Sequence, residues 1–422
     1  MDTSVMITLG FLIFAIVMFA WEKIPLSITA MVVAVGLHLS GVLSAREAFA
    51  GFVDPNVLLF MGMFVIGEAF FATGVAVGVG NVVHKFAKTE TSLLVAVMMI
   101  TGILSGFLSN TGTAAVLIPV IIGICKKSGF KQTKLLMPLV FAAAMGGNIS
   151  LIGAPGNMIA QAGLQQAGLG SFNFFDYGLV GLPILIVGTI FYATIGKRFL
   201  PDAPSHQPDG AFEGNDDYSH VPSWKKWTAA IILILTVVAM IFEKQLGVKL
   251  YVSAWIGALV LVATNVISET AAVKSIDMKT IMLFAGSMAL GDAMVKTGTG
   301  SVIADIIVNS LGASPSPIVV LAVIFVLGVF MTNFMSNTAT CALLVPIGLS
   351  LASQLGFDPK AVLAAIVIAS SLAYATPIGM PANTMVYNIA GYSFMDYVKA
   401  GVPLIIVSSI VAFILLPILF PF

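Results

Sequence analysis

Apolar residues run along this chain in long blocks separated by short polar breaks. The blocks fall at about 5–20, 26–42, 56–73, 135–160 and 177–196. They recur at about 226–242, 250–267, 280–295, 362–390 and 400–420. Blocks this long and this free of charge read as helices that cross a bilayer, not as faces of soluble helices. Between the third and fourth block of each set lies an amphipathic stretch (75–88; 298–311). A further apolar segment follows it (92–125; 316–353). The pattern predicts an all-α integral membrane protein with multiple passes through the lipid bilayer.

The pattern is also duplicated. "FLSNTGTAAVLIPV" begins at Phe107 and "FMSNTATCALLVPI" begins at Phe334. "LLFMGMFVIGEAFFATG" (58–74) matches "MLFAGSMALGDAMVKTG" (282–298), "IGAPGN" (152–157) matches "IGMPAN" (378–383), and "DYGLVGLP" (176–183) matches "DYVKAGVP" (396–403). Four landmarks in one order divide the chain into repeats 1–199 and 226–422. The linker 200–225 sits in a Pro-, Gly-, Asp- and Ser-rich stretch, 197–227. Five single crossings per repeat put the second repeat into the membrane from the opposite side. Such inverted-topology repeats are typical of secondary transporters. With 126–134 taken as cytoplasmic, fourteen of the Lys and Arg residues fall inside and five outside. This places the linker 197–227 in the cytoplasm and both termini outside, in a cell (inner or plasma) membrane.

Composition agrees: 59% of the 422 residues are hydrophobic and 9% charged, with mean hydropathy +1.06. Soluble domains carry about 25% charged residues. A formal net charge of zero gives no footing for nucleic acid. No Lys or Arg precedes the first apolar block, so it reads as a retained helix, not a cleaved signal. Cys125 and Cys341 lie in apolar runs and read as small hydrophobes. His206 and His220 have irregular spacing to the linker acids, and a plain linker is favoured over a metal site.

The polar phrases carry the candidate chemistry. As a helix, residues 92–108 would span roughly 25 Å, short of the ~30 Å hydrocarbon core. A re-entrant hairpin with its tip at Ser109-Asn110-Thr111 is expected, and its twin at Ser336-Asn337-Thr338. A turn at that depth requires a wet or ligand-filled cavity. Asn and Ser oxygens ligate hard cations such as Na⁺, and free N–H groups at the second arm favour an anion. The phrases "GGNISLIGAPGNMI" (146–159) and "AYATPIGMPANTMV" (373–386) place Gly and Pro inside what would otherwise be continuous crossings. Broken helices (about 135–160 and 362–390) expose carbonyl oxygens. The expectation is two pseudo-symmetric cation sites flanking one substrate site. One polar phrase alone is equally explained by helix packing; paired duplication argues for a site.

No Lys, Arg, His, Asp or Glu stands in these phrases. A proton-driven carrier usually places a titratable group in its path, so their absence favours Na⁺ coupling. Glu68 with Asp292 is the only duplicated acid near mid-helix. Both read as helix-end residues; the alternative is a proton-coupled or antiport carrier, such as a Na⁺/H⁺ antiporter or oxyanion exporter. Ser109 and Ser336 have no neighbouring base, so an enzyme is not expected, nor an organic cofactor. Two opposite-facing half-sites suit alternating access better than a channel.

With two SNTxT phrases, each followed by an IGxPxN phrase, the chain resembles the divalent anion/sodium symporter family of the ion transporter superfamily. The resemblance covers nearly the whole chain. It implies Na⁺-coupled symport of a dicarboxylate, tricarboxylate or related divalent anion by an elevator movement of a transport domain against a scaffold, in a homodimer. It implies two or more Na⁺ ions. The first site would use Ser105, Ser109 and Asn110 with the carbonyl of Gly153. The second would use Thr332, Ser336 and Asn337 with carbonyls near Gly379 and Pro381. The substrate would meet Asn110, Thr111, Thr113, Asn337, Thr338 and Thr340. Ala154 and Met380 stand where the family's dicarboxylate carriers place a Thr, which makes this pocket less polar.

Overall fold

Residues 2–21, 23–76, 78, 88–206, 218–311 and 315–421 are described by the structure, a computed structural model. Every regular element among them is helical. The first repeat contributes α1 (Thr3–Trp21), α2 (Leu26–Leu39), α3 (Pro55–Ala72), α4 (Glu90–Ser105), α5 (Asn110–Ser128), α6 (Leu136–Gly146), α7 (Pro155–Gln166) and α8 (Gly178–Thr194). The second contributes α9 (Ser223–Ile241), α10 (Leu250–Ala263), α11 (Met278–Thr297), α12 (Thr299–Leu311), α13 (Pro317–Thr332), α14 (Asn337–Leu355), α15 (Pro359–Ser370), α16 (Pro381–Ala390) and α17 (Phe394–Leu419). Six of them, α3, α5, α9, α11, α14 and α17, are long and apolar enough to cross a membrane unaided.

Local chemistry sets the ends. Asp54 caps α3 by accepting from Asn56 N, with Pro55 in the first turn. Capping boxes open α4 (Thr89 with Ser92) and α17 (Ser393 with Asp396). Gly298, at φ 74°, closes α11 in the left-handed conformation that glycine adopts without strain.

The two expected broken crossings are each two helices with a non-helical passage between, 147–154 and 371–380. The break in the Ser-Asn-Thr segments falls earlier than expected. The chain leaves the helix at Gly106 to Ser109 and at Asn333 to Ser336; Asn110 and Asn337 already open the next helix. The reason is capping: the Ser109 and Ser336 hydroxyls accept from Gly112 N and Ala339 N, each at 3.1 Å. The second amphipathic stretch is α12; most of the first, 75–88, lies outside the described residues.

Packing crosses the repeats. α2 lies along α11, and α3 along α10. The contacts are reciprocal: a Cβ on Gly62 would stand 2.8 Å from Ala254 Cβ, and one on Gly286 would stand 2.8 Å from Ala30 Cβ. Gly286 is 224 residues after Gly62, and Ala254 is 224 after Ala30. Swapping the repeats therefore maps one contact onto the other, as a two-fold relation requires.

Loops gather into two sets. In one, Asn56 Nδ2 donates to Gln165 Oε1 (3.1 Å), Lys244 Nζ to Asn173 Oδ1 (3.2 Å), and Lys296 pairs with Glu47 (2.8 Å). In the other, Asp202 pairs with Lys131 (2.7 Å) and Lys134 (2.9 Å), Ser205 N donates to Gly391 O (2.7 Å), and Tyr392 OH donates to Thr133 O (2.7 Å). The lysines beside Glu47 and Asp202 hold each carboxyl down, to about 2.

Candidate ion and substrate site

Each passage packs against the matching helix break to form a small oxygen-lined cage. In the first, one terminal atom of the Asn110 amide lies 2.7 Å from Ser105 Oγ and 3.2 Å from both Ala143 O and Gly153 O. In the second, one terminal atom of the Asn337 amide lies 2.8 Å from Thr332 Oγ1, 3.0 Å from Ser370 O and 3.1 Å from Gly379 O. Ser105 corresponds to Thr332, Ala143 to Ser370, and Gly153 to Gly379.

The amide can turn either end into its cage, and the two choices differ chemically. With nitrogen inward it donates to the surrounding oxygens and the cage satisfies itself. With oxygen inward, the amide oxygen stands 2.7–3.2 Å from three other uncharged oxygens, with no donor between it and the carbonyls. That arrangement is repulsive unless a cation lies among them. Neutral amide, hydroxyl and carbonyl oxygens are ligands for a hard monovalent cation. No cage ligand is titratable, so the donor set fits Na⁺ and offers no proton site.

The passages are held by a second duplicated device. Asn157 Nδ2 donates to Gly147 O and Ser150 O, both at 2.8 Å. Asn383 Nδ2 donates to Ala373 O (2.7 Å) and Thr376 O (3.1 Å). Ser150 Oγ donates to Gly106 O and Thr376 Oγ1 to Asn333 O, stitching each passage to its helix break. Tyr177 and Tyr397 donate to the carbonyls of Asn157 (3.2 Å) and Asn383 (2.6 Å). The Oδ1 atoms of Asn157 and Asn383 are buried and accept nothing among the described residues. Two orphaned oxygens in matching places beside the cages again suit a cation-binding region.

Most sequence-expected residues converge. Ser105, Asn110 and Gly153 meet in one cage, and Thr332, Asn337 and Gly379 in the other. Ser109 and Ser336 sit at the breaks with their hydroxyls engaged as helix caps. Pro381 is not among the second cage's contacts. It occupies the first turn of α16, exposed, where its fixed φ and missing N–H suit a helix start. Ser370 O takes the place expected of it. Thr111 and Thr338 are half-buried on the first turns of α5 and α14. Thr113 is buried with no partner for its hydroxyl among the described residues, whereas Thr340 donates back to Ser336 O (3.2 Å). Ala154 and Met380 are both buried and precede α7 and α16 in matching extended conformations, φ −143°.

The sequence reading missed Ala143 and Ser370, which act through backbone carbonyls and so leave no side-chain signal. It also assigned no role to Asn157 and Asn383; their signal was present, as the shared last residue of the IGxPxN phrases. Cys125 and Cys341 are buried free thiols, as expected. Among the described residues no cluster of three or more His, Cys, Asp and Glu could hold a metal.

Glu47, Ser287, Asp292 and Lys296 face Gly163, Val345, Pro346 and Ser350 across a cavity of about 850 Å³. Asn56, Tyr251 and Lys244 face Gln161, Gln165 and Asn173 across a second, of about 700 Å³. Asp292 thus borders open space; Glu68 is half-buried on α3.

Comparison with known proteins agrees in fold and family. The solved structure of the YdaH transporter of Alcanivorax borkumensis superposes with a TM-score of 0.67, covering 97% of each chain at 15% identity. The transporter YfbS of Escherichia coli is 24% identical, with all of both chains covered. The sodium-dependent dicarboxylate transporter SdcS of Staphylococcus saprophyticus is 24% identical over 94% of this chain and 84% of its own. These relatives are transporters, and the chain is a multi-pass membrane transporter, not an enzyme. The model of the citrate transporter family matches residues 16–347 and 237–421. The chain therefore belongs to the citrate transporter family.

Proposed function

We propose that this transporter couples the movement of Na⁺ to that of a small di- or tricarboxylate, or a related divalent anion, in symport. The observation that carries this reading is the pair of matching cages, each built only from uncharged oxygens around the amide of an SNT asparagine. Na⁺ is a transported co-substrate here. Two bound ions would supply the positive charge that the chain itself withholds from the site. The N-termini of α5 and α14, with Thr111 and Thr338 on their first turns, would meet the anion's carboxylates. The name of the SdcS relative supports both the ion and the substrate class.

The two-fold contacts and the two sets of loops support inverted repeats with the same boundaries as the sequence halves. The set containing Lys131, Lys134 and Asp202 is assigned to the cytoplasm, with both termini outside. Helices α4–α8 and α13–α17 would form the moving part of an elevator, and α1–α3 with α9–α11 the scaffold, paired in a homodimer. The cavities of about 850 and 700 Å³ lie between these parts and on the side of the outer loops, which supports a gap that closes as the mobile part moves.

Proteoliposomes with an inward Na⁺ gradient test this reading. Labelled succinate, citrate and sulfate are offered in parallel, each with a K⁺ control. Na⁺-dependent uptake of at least one is expected, and at the Na⁺ concentration that half-saturates the wild type it is lost in Asn110→Ala and in Asn337→Ala. A second reading, proton coupling, draws on Asp292 bordering the larger cavity. It predicts uptake driven by a pH gradient without Na⁺ and abolished by Asp292→Asn.

A further inference from the structure

The cages do not stand apart. Ser371 Oγ donates to Asn148 Oδ1 at 3.0 Å, joining one passage directly to the other. Both residues are buried, at 4% and 2% exposure. Each is next in sequence to a wall of a cage. Ser370 supplies the carbonyl that faces the Asn337 amide at 3.0 Å. Gly147 presses on the other amide, since a Cβ there would lie 2.9 Å from both terminal atoms of Asn110. A continuous path thus runs from Asn110 through Gly147, Asn148, Ser371 and Ser370 to Asn337.

We propose that the Ser371–Asn148 hydrogen bond couples the two cages, so that filling one raises the affinity of the other. This rests on the reading that the cages hold Na⁺. A coupling element needs two discrete arrangements, and Ser371 has them. Its hydroxyl carries one proton and reaches two acceptors, Asn148 Oδ1 at 3.0 Å and Val367 O at 3.2 Å. An ion in the first cage turns the Asn110 amide oxygen inward and fixes the 147–154 passage, which favours the bond to Asn148. That bond fixes the Ser370 carbonyl in advance of the second ion, which then loses less conformational freedom on binding. Linkage makes the effect equal in both directions.

Pseudo-symmetry does not duplicate this link. The position matching Asn148 is Tyr374, whose buried hydroxyl has no partner among the described residues, and Ala144 and Met145, which fall opposite Ser371 where the first half is one residue longer, carry no side-chain donor. Ser371 and Asn148 are therefore positioning residues at a point where two otherwise matching halves differ.

The test follows equilibrium binding of ²²Na⁺ to the purified full chain in detergent as Na⁺ replaces choline at constant ionic strength. The wild type is expected to saturate with a Hill coefficient above 1. Ser371→Ala lowers it towards 1 and weakens apparent Na⁺ affinity by roughly fivefold, the low end of ordinary coupling. Ser371→Thr keeps the hydroxyl and the wild-type steepness. Asn148→Leu, similar in volume but without the acceptor, behaves as Ser371→Ala, and the double variant adds nothing further. If Ser371→Ala fails to fold, Asn148→Leu carries the test. Steepness unchanged in the variants, or a wild-type coefficient of 1, overturns the coupling and leaves the cation sites standing. A wild type blind to Na⁺ overturns the cation reading itself.

Discussion

The two cages share a donor set but not a setting. Every residue of the first passage, 147–154, is buried. The second passage, 371–380, reaches the surface at Ile378, which is 50% exposed, and is followed by exposed Pro381 and Thr384. Duplication has thus kept the donor set of a cage and varied its access. Met380 against Ala154 and Ser370 against Ala143 are further departures. The hydroxyl of Ser370 touches Cys341 Sγ at 2.9 Å, a contact that the alanine opposite cannot make.

The largest test of that comparison is removal of the central amides. Asn110→Ala and Asn337→Ala each leave the cage carbonyls without their shared partner and take away a proposed cation ligand. Each is expected to raise half-saturating Na⁺ in uptake assays by about 10- to 100-fold. Unequal losses would show that access, not ligand chemistry, sets the order of binding.

Next come the asparagines that hold the passages. Asn157→Ala and Asn383→Ala each remove two N–H donors from buried carbonyls. Both are expected to lower unfolding stability by about 1–3 kcal/mol, with similar midpoints by thermal unfolding. A loss confined to one would break the equivalence of the halves.

Accessibility sharpens the contrast further. Ile378→Cys is expected to react with a maleimide on the order of tenfold faster than Ile152→Cys, which occupies the matching, buried position. The native thiols are buried and form a low background. Equal rates would mean that the first passage opens as readily as the second.

The smallest effect is expected at the far surface. Lys131 and Lys134 hold the Asp202 carboxyl at about 2, below its ordinary 3.8. A depressed folded-state value means that the contribution is complete above pH ~4 and fades as pH falls from there towards 2. Asp202→Asn should therefore leave unfolding and Na⁺ dependence unchanged between pH 5 and 8, because exposed pairs contribute little. A change of Na⁺ dependence in that range would tie the loops around Asp202 to the cages.

Much of this was legible in the chain because each signal is local. SNTxT and IGxPxN are contiguous phrases, and contiguous Gly, Pro and Asn dictate breaks and caps wherever the helix lies. Ser105 and Thr332 were legible for a related reason: four residues before the phrase is one helical turn. Ser109 and Ser336 lie at the breaks, where their hydroxyls cap the following helices, and Pro381 starts α16. A sequence motif names side chains. It does not say which carbonyl will face them, so Ala143 and Ser370 stayed hidden.

The sequence by itself determined the class, the duplication, the helix breaks and the residue types at the cages, since hydropathy, period and capping act over a few residues. Only the tertiary structure decided how the repeats interlock, with α2 on α11 and α3 on α10, because helix packing depends on surfaces far apart in sequence: Gly62 and Ala254 are 192 residues apart, Ala30 and Gly286 256. It alone decided the cage carbonyls and the Ser371–Asn148 link. Those rest on distances between passages that no local pattern encodes, and a hydrogen bond forms or fails within a few tenths of an ångström.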